Sequence, residues 1–322
     1  MIKDFEKAKE QISAANSIGI ISHINPDGDN IGSLIGLGEG LKKIGKKVRL
    51  LKSDEVPKYL AFLPKTEEIR ELEKNEKFDL LIVLDSGDFK RTGDVGERAL
   101  KVSNGVLNID HHISNTYFGD VNIVFPNYCA TAEILYDFLR YMEIEIDKDM
   151  AAALYTGLVT DSGNFIYENV TSDTLRKAAN LVDFGADRRY IYRMLYQMNK
   201  LEALLLQNEI LSNTKLYYNN KLAISYVNYK LFEKYNCKKE DLEGLVNIYR
   251  DLECVEVSIF LVEEKFEEIK ASMRSKEYVD LSVIGKALGG GGHVHAAGAL
   301  LKGNVEDVTK EILKRFDEVK WR

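Results

Sequence analysis

The chain has 322 residues, 45% of them hydrophobic and 30% charged, with a formal net charge of −7, a balance that excludes a disordered chain and suffices for two ordinary domains. The acidic charge argues against a large footprint on duplex DNA, which demands a basic face, so any nucleic-acid partner is expected to be short. Apolar runs such as Ala151 to Leu154 are too short to cross a bilayer, the N-terminal MIKDFEKAKEQ has no leader-like apolar core, and Cys129, Cys237 and Cys254 are odd in number and widely spaced; a cytoplasmic, reducing location without membrane contact is expected.

Phe5 to Ala15 has helical spacing and Ile18 to Ile21 reads as a buried strand. SHINPDGDNIGS, Ser22 to Ser33, follows at once and packs one imidazole and two carboxylates into seven residues: His23, Asp27 and Asp29. Pro26 and Gly28 supply the fixed and the permissive dihedrals that a sharp turn needs if the three are to face one point. An imidazole among carboxylates suits Mn²⁺, Fe²⁺ or Zn²⁺ better than Ca²⁺, while a solvated acidic loop is the plainer alternative for this stretch alone. Ile31 to Ile44 returns to helical spacing with Gly45 past its end, and Gly36, Gly38 and Gly40 inside it read as sites of close packing.

Short apolar runs at Val48 to Leu51, Leu80 to Leu84 and Gly105 to Ile109 alternate with charged helical segments, which predicts a mostly parallel sheet covered by helices. Ligands of such sheets gather at the strands' carboxyl ends. There Leu80 to Leu84 runs into Asp85, and Gly105 to Ile109 runs into Asp110, His111 and His112. Three successive strands ending in metal-competent side chains favour a metal site over scattered strand-end polarity. A helix is expected over Ala130 to Met142 and another over Met150 to Thr160, feeding Asp161 in TDSGNF; Asp161 is a candidate last ligand, with a turn carboxylate as the alternative.

Thr171 starts a further helix, and the glycine-free stretch Asp187 to Asn213 reads as a helical connector. Lys215 to Tyr218 and Lys221 to Val227 flank a hairpin-like Asn219-Asn220, and Val255 to Val262 and Glu268 to Met273 read as strands of a smaller α+β domain. The expected division is therefore residues 1–186, a connector 187–213 and a second domain 214–322. In that second domain Gly289 to Gly298, GGGGHVHAAG, follows a short helix, Leu281 to Leu288. It is neither a P-loop, since no Gly-Lys-Ser/Thr follows, nor a dinucleotide fingerprint, since no strand precedes it. Its glycines Gly290, Gly291 and Gly292 permit close backbone approach to a ligand, His293 and His295 suit an anion better than an isolated zinc pair, and Arg274 offers a bidentate phosphate contact.

The pattern H-x-x-P-D-x-D-x-x-G-S at His23 to Ser33, the strand-end Asp85, D-H-H at Asp110 to His112, and Asp161 together resemble the DHH phosphoesterase superfamily. S-x-R-S at Ser272 to Ser275 and G-G-G-H-x-x-A-A-G at Gly290 to Gly298 resemble its associated substrate-binding domain, DHHA1; Val294 departs from the Lys or Arg frequent there. The resemblance extends to the stand-alone bacterial oligoribonucleases called nanoRNases. It implies two divalent ions, Mn²⁺ above others, with His23 and Asp27 on one, Asp29, His111 and Asp161 on the other, and Asp85 bridging. It implies that Asp110 orients His111, that His112 touches the scissile phosphate or protonates the leaving oxygen, and that Ser272, Arg274, Ser275, Gly290, Gly291, Gly292 and His293 bind substrate. The implied activity is release of 5′-mononucleotides from single-stranded RNA of two to five nucleotides and dephosphorylation of 3′-phosphoadenosine 5′-phosphate, in an enzyme expected to form a homodimer. Cleavage of cyclic di-AMP or pApA is the alternative enzyme reading, and a nucleotide-binding sensor the alternative without turnover.

Overall fold

Alternating strands and helices build the first of two units into which the chain divides, Met1–Met198 and Asn199–Arg322. The structure, a computed structural model, describes residues 2–242, 244–265 and 267–322. In chain order the first unit comprises α1 (Ile2–Ala14), β1 (Ser17–Ile21), α2 (Gly28–Lys43), β2 (Lys47–Leu51), β3 (Ile69–Arg70), β4 (Leu80–Leu84) and α3 (Gly93–Lys101). It continues with β5 (Val106–Asp110), β6 (Val121–Val124), α4 (Thr131–Tyr141), α5 (Lys148–Asp161), α6 (Ser172–Asp183) and α7 (Arg188–Tyr196).

Among the described residues β1 to β6 form one sheet in the order β3-β2-β1-β4-β5-β6, with every pairing parallel, as the alternation predicts. Successive residues of a strand face opposite sides, so one sheet serves two cores. Ile18, Ile20, Ile82, Leu84, Leu107 and Ile109 pack with α1, α2, α4 and α5 on one face, while Ile21, Leu81, Val83 and Val106 pack with Ala99 of α3 on the other. Both faces being covered explains why these strands read as continuous apolar runs.

The stretch 187–213 forms two helices, α7 and α8 (Leu201–Ser212), and the division at Met198 falls between them. The second unit adds β7 (Lys215–Tyr217), β8 (Leu222–Val227), α9 (Tyr229–Tyr235), α10 (Leu245–Arg250), β9 (Val257–Lys265) and β10 (Glu268–Ser275). After these come α11 (Leu281–Ala287), β11 (Gly291–His293), β12 (Ala296–Lys302) and α12 (Val305–Phe316). Its sheet runs β11-β12-β10-β9-β8-β7, antiparallel except for β8 with β9, and again separates two cores: Val257, Ile259 and Leu261 meet α11 and α12, whereas Phe260 and Val262 meet α8 and α10. Among the described residues no helix is long and apolar enough to cross a membrane.

Candidate metal centre

β1, β4 and β5 are neighbours, so their carboxyl ends open side by side. His23 follows β1 by two residues, Asp85 follows β4 directly, and Asp110 closes β5 ahead of His111 and His112. Asp27 caps α2 by accepting the Asn30 N–H at 3.0 Å, which puts Asp29 in the first helical turn, and Asp161 is the last residue of α5. Gly28 lets the two helix ends meet, since a Cβ there would lie 2.4 Å from Thr160 Cγ2.

Three trios of ligand atoms result, each with its members within 4.8 Å of one another: His23, Asp27 and Asp85; Asp29, His111 and Asp161; and Asp85, His111 and His112. Asp85 divides its carboxylate between neighbours. Its Oδ2 lies 3.2 Å from His23 Nε2 and its Oδ1 3.5 Å from His111 Nε2. His111 Nε2 is also 3.1 Å from Asp161 Oδ2, and His23 Nε2 is 4.0 Å from Asp27 Oδ2. Asp29 is fully buried at the start of α4, accepting the N–H groups of Thr131 at 2.6 Å and Ala132 at 2.8 Å.

The donors fit divalent cations. His23 Nδ1 lies 2.8 Å from the Ile24 carbonyl and His111 Nδ1 lies 3.3 Å from the Tyr128 carbonyl; a carbonyl only accepts, so each Nδ1 carries the proton and each Nε2 is presented to the carboxylates. His111 Nε2 is buried yet makes no hydrogen bond of proper geometry, an orphan of the kind that a metal ligand leaves. Charge points the same way. Burial and the charges of Asp85 and Asp161 push the Asp27 carboxyl up to about 6 and that of Asp29 well above its ordinary value. Burial also raises Asp161. Burial opposes charge on Asp85 too, but its contacts with His111 and His23 hold it well below the carboxylate range. Against burial, Asp161 and Asp85 lift His111 to about 12, and Asp85 lifts His23. Asp27, Asp29, Asp161 and both histidines thus hold protons more tightly than usual, and divalent ions bound there would take the place of those protons.

Asp110 does not orient His111 as the sequence reading expects. Its Oδ1 accepts from His112 Nδ1 at 2.7 Å and its Oδ2 from Asn115 Nδ2 at 2.6 Å. The backbone is extended through Asp110, so residues two apart share a side, and Asn108, Asp110 and His112 do so. Asn115 Nδ2 also reaches Asn108 Oδ1 at 2.8 Å, completing a buried polar net beneath His112.

In the second unit the register aligns several expected substrate contacts. Ser272 pairs with Gly298 and Gly298 with Gly291; Arg274 pairs with Ala296 and Ala296 with His293. Cross-strand partners and residues two apart share a face, so Ser272 and Arg274 flank a floor of Gly298 and Ala296 from one side, and Gly291 and His293 from the other. Ser275 lies on the opposite face, buried, with Oγ 2.9 Å from His295 Nδ1. Nor do all the glycines serve a ligand's approach: a Cβ at Gly290 would lie 2.0 Å from the Gly298 carbonyl and one at Gly292 2.3 Å from that of Ala296, whereas Gly291 is open. A cavity of about 410 Å³ lies against Ser282, Val283, Lys286 and Gly290 to Gly292.

The sequence reading missed Asn115, Asn108 and Thr131, whose Oγ1 donates to Asp85 Oδ1 at 3.1 Å. Asn108 left a signal, a polar residue inside the apolar strand VLNID. Also missed was Lys177, which is buried against Glu133 at 3.2 Å and Asp137 at 2.7 Å, with its ammonium 4.4 Å from the ring of Tyr128, whose carbonyl holds His111.

Residues 17–158 match the family model described as DHH family, N-terminal domain, and residues 219–321 match the DHHA1 domain. The chain is 35% identical over 303 residues, 94% of this chain and 89% of the relative, to a protein of Thermus thermophilus named bifunctional oligoribonuclease and PAP phosphatase NrnA. A protein of Bacillus subtilis with the same name is 26% identical over 295 residues, covering 89% of this chain and 90% of its own. The crystal structure of an exopolyphosphatase-related protein from Bacteroides fragilis superposes with a TM-score of 0.92 at 28% identity, over 98% of this chain and 97% of that one. The chain belongs to the DHH phosphoesterase family and carries that family's DHHA1 domain.

Proposed function

We propose that this protein is a metal-dependent phosphoesterase that removes 5′-mononucleotides from RNA of two to five nucleotides and dephosphorylates 3′-phosphoadenosine 5′-phosphate. The convergence of three donor trios, linked because Asp85 and His111 each belong to two of them, carries this reading, and the names of the relatives from Thermus thermophilus and Bacillus subtilis support the substrates. His23, Asp27 and Asp85 would hold one divalent ion, and Asp85, Asp29, His111 and Asp161 a second; imidazole mixed with carboxylate suits Mn²⁺, Fe²⁺ or Zn²⁺, and of these Mn²⁺ is the one that the family resemblance favours. Bound there, the ions supply an activated water for in-line attack on phosphorus and offset charge on the phosphoryl oxygens.

The chain's own groups do the rest. Asp110 holds the Nδ1 proton of His112, so that Nε2 is the nitrogen that faces substrate, and when it too carries a proton it can donate to the scissile phosphate or pass that proton to the leaving oxygen. The carbonyls of Ile24 and Tyr128 fix the rings of His23 and His111, and Thr131 fixes Asp85. Ser272, Arg274 and His293, aligned across β10, β12 and β11, offer donors suited to a terminal phosphate, and Gly291 leaves room beside them. The test is a time course on end-labelled oligomers with Mn²⁺. Release of 5′-mononucleotides from a trimer, faster than from a twenty-mer and abolished by chelation, is expected; a trimer left intact in Mn²⁺ refutes the reading.

A further inference from the structure

Beside Asp161 the first unit has a cavity of about 520 Å³, the size of a nucleotide site. Tyr155 and Val159 of α5 line it, with Asn164 beyond that helix and Arg188, Arg189 and Tyr192 of α7. Val159 and Asn164 bracket Asp161 in sequence, and Asn164, three residues away, lies no more than about 11 Å from it along the chain. One wall of the cavity is therefore built from the same end of α5 that carries Asp161. The turn between them is held under strain: Gly163, Asn164 and Phe165 have φ of +57°, +59° and +65°, the left-handed region that non-glycine residues avoid. Backbone bonds clamp it, Asn164 N donating to the Val159 carbonyl at 2.8 Å and Phe165 N to Ser162 Oγ at 2.9 Å.

The charge of this wall is out of keeping with an acidic protein. Among the described residues neither Arg188 nor Arg189 pairs with a carboxylate, and the adjacent Asp187 turns its Oδ1 to the N–H groups of Arg189 and Tyr190. Both guanidiniums are exposed, and Tyr192 leaves 41% of its surface open beside them. Guanidiniums without a carboxylate partner, beside a phenol ring that packs on Tyr196 at 5.1 Å and is otherwise partly open, suit a phosphate joined to a base, the first through bidentate hydrogen bonds and the second by stacking on its free surface.

We propose that this cavity is a nucleotide subsite of the phosphoesterase centre. It receives the nucleotide next to the scissile phosphate, with that nucleotide's own phosphate on Arg188 and Arg189 and its base against Tyr192. The proposal rests on the function proposed above and adds a specificity device to it.

Its test compares full-length wild type with the Arg188→Gln/Arg189→Gln double variant and with Tyr192→Ala. With Mn²⁺ present, kcat/KM is measured on a trinucleotide and on bis-p-nitrophenyl phosphate, which has no neighbouring nucleotide. Binding of a phosphorothioate-linked dinucleotide is measured in parallel. The ratio of kcat/KM between trinucleotide and ester should fall about 10-fold to 100-fold in the double variant and about 10-fold in Tyr192→Ala, with matching losses of dinucleotide affinity. An unchanged ratio, or unchanged dinucleotide affinity, overturns the subsite while leaving the phosphoesterase reading intact. A wild type that cleaves the ester but not the trinucleotide refutes the oligoribonuclease reading instead, and the dinucleotide affinities of the variants then decide the subsite alone.

Discussion

Gly32→Ala should damage the metal centre from a distance, because α2 carries Asp29 and α5 carries Asp161 and the two helices touch at this glycine. A Cβ at position 32 would lie 2.3 Å from the Ala153 carbonyl oxygen, 3.1 Å from its carbon and 3.2 Å from Gly157 N, all backbone atoms of α5. Ordinary contact begins at 3.4 Å, so the helices must part by 3.4 − 2.3 = 1.1 Å or distort. Close-packed cores resist such wedges at a cost of roughly 1 to 3 kcal/mol, and the better helix propensity of Ala returns about 1 kcal/mol. The larger effect is on the donors. A displacement of about 1 Å between catalytic groups costs on the order of 10²-fold in rate. Gly38→Ala is the control: it lies on the same helix, and its Cβ would meet the flexible tip of Leu50, Cδ2 at 2.6 Å, with the next atoms at 3.5 Å. Urea denaturation and kcat/KM with Mn²⁺ should therefore separate the two variants, Gly32→Ala losing up to about 2 kcal/mol and on the order of 10²-fold in rate while Gly38→Ala stays near wild type. Equal behaviour of the two would refute the coupling of helix packing to donor geometry.

Asp85→Asn should abolish turnover more completely than loss of Asp27, since Asp85 alone lies between both outer histidines; near-wild-type activity with Mn²⁺ would remove its bridging role. His112→Ala should lower kcat by about 10²-fold while elemental analysis still finds the ions, and joint loss of ions and activity would make it a ligand. Lys177→Met leaves the buried Glu133 carboxylate without its countercharge, though still hydrogen-bonded by Cys129 N and Thr174 Oγ1, and should cost about 3 kcal/mol in urea denaturation, with Lys177→Met/Glu133→Leu recovering part; a single variant as stable as wild type would show that the pair contributes nothing.

Strand-end chemistry was legible because a parallel sheet gathers carboxyl ends at one edge, so His23, Asp85 and His111 could be expected together before any strand order was known. Asp161 was legible only as the end of an apolar helix, and its approach to Asp29 depends on Gly28 and Gly32, whose meaning emerges when the partner helix is in view. The pairing of Asp110 with His112 could have been read from the two-residue period of an extended chain, yet adjacency in D-H-H suggested His111 instead. The second unit was less legible for the same reason. Ser272, Ser275 and Arg274 are neighbours in sequence, but strand alternation buries Ser275 on the opposite face, where it meets His295, and register sets Ser272 and Arg274 across from Gly291 and His293. Lys177 gave no sign at all, because a buried lysine reads like any helix-surface lysine until its three carboxylate neighbours, Glu133, Asp137 and Asp173, are seen around it.

Sheet order also explains why Asp85 is the one carboxylate that belongs to two of the donor trios found among the described residues. β4 lies between β1 and β5, so a side chain at its end has a neighbouring strand about 5 Å away on each side, one delivering His23 and the other His111. A group at the end of β1 or β5 reaches only one of them. The backbone bends to use this place: Asp85 has φ +53°, while its N–H still donates to the Ile109 carbonyl at 3.0 Å, so the ladder is kept and the side chain is redirected within one residue. Left-handed backbone in a non-glycine residue costs roughly 1 to 2 kcal/mol, and Asp85 and the three donor carboxylates near it, Asp27, Asp29 and Asp161, repel one another. The sequence tolerates both because α2, α4 and α5 are packed firmly behind the site, with Ile31, Leu34, Leu135 and Leu154 buried, so the strain cannot relax by moving a helix. Rigid packing behind and unfavourable charge in front leave the binding of cations as the route by which the repulsion is relieved, which is the condition under which a metal site is both selective for occupancy and ready for catalysis.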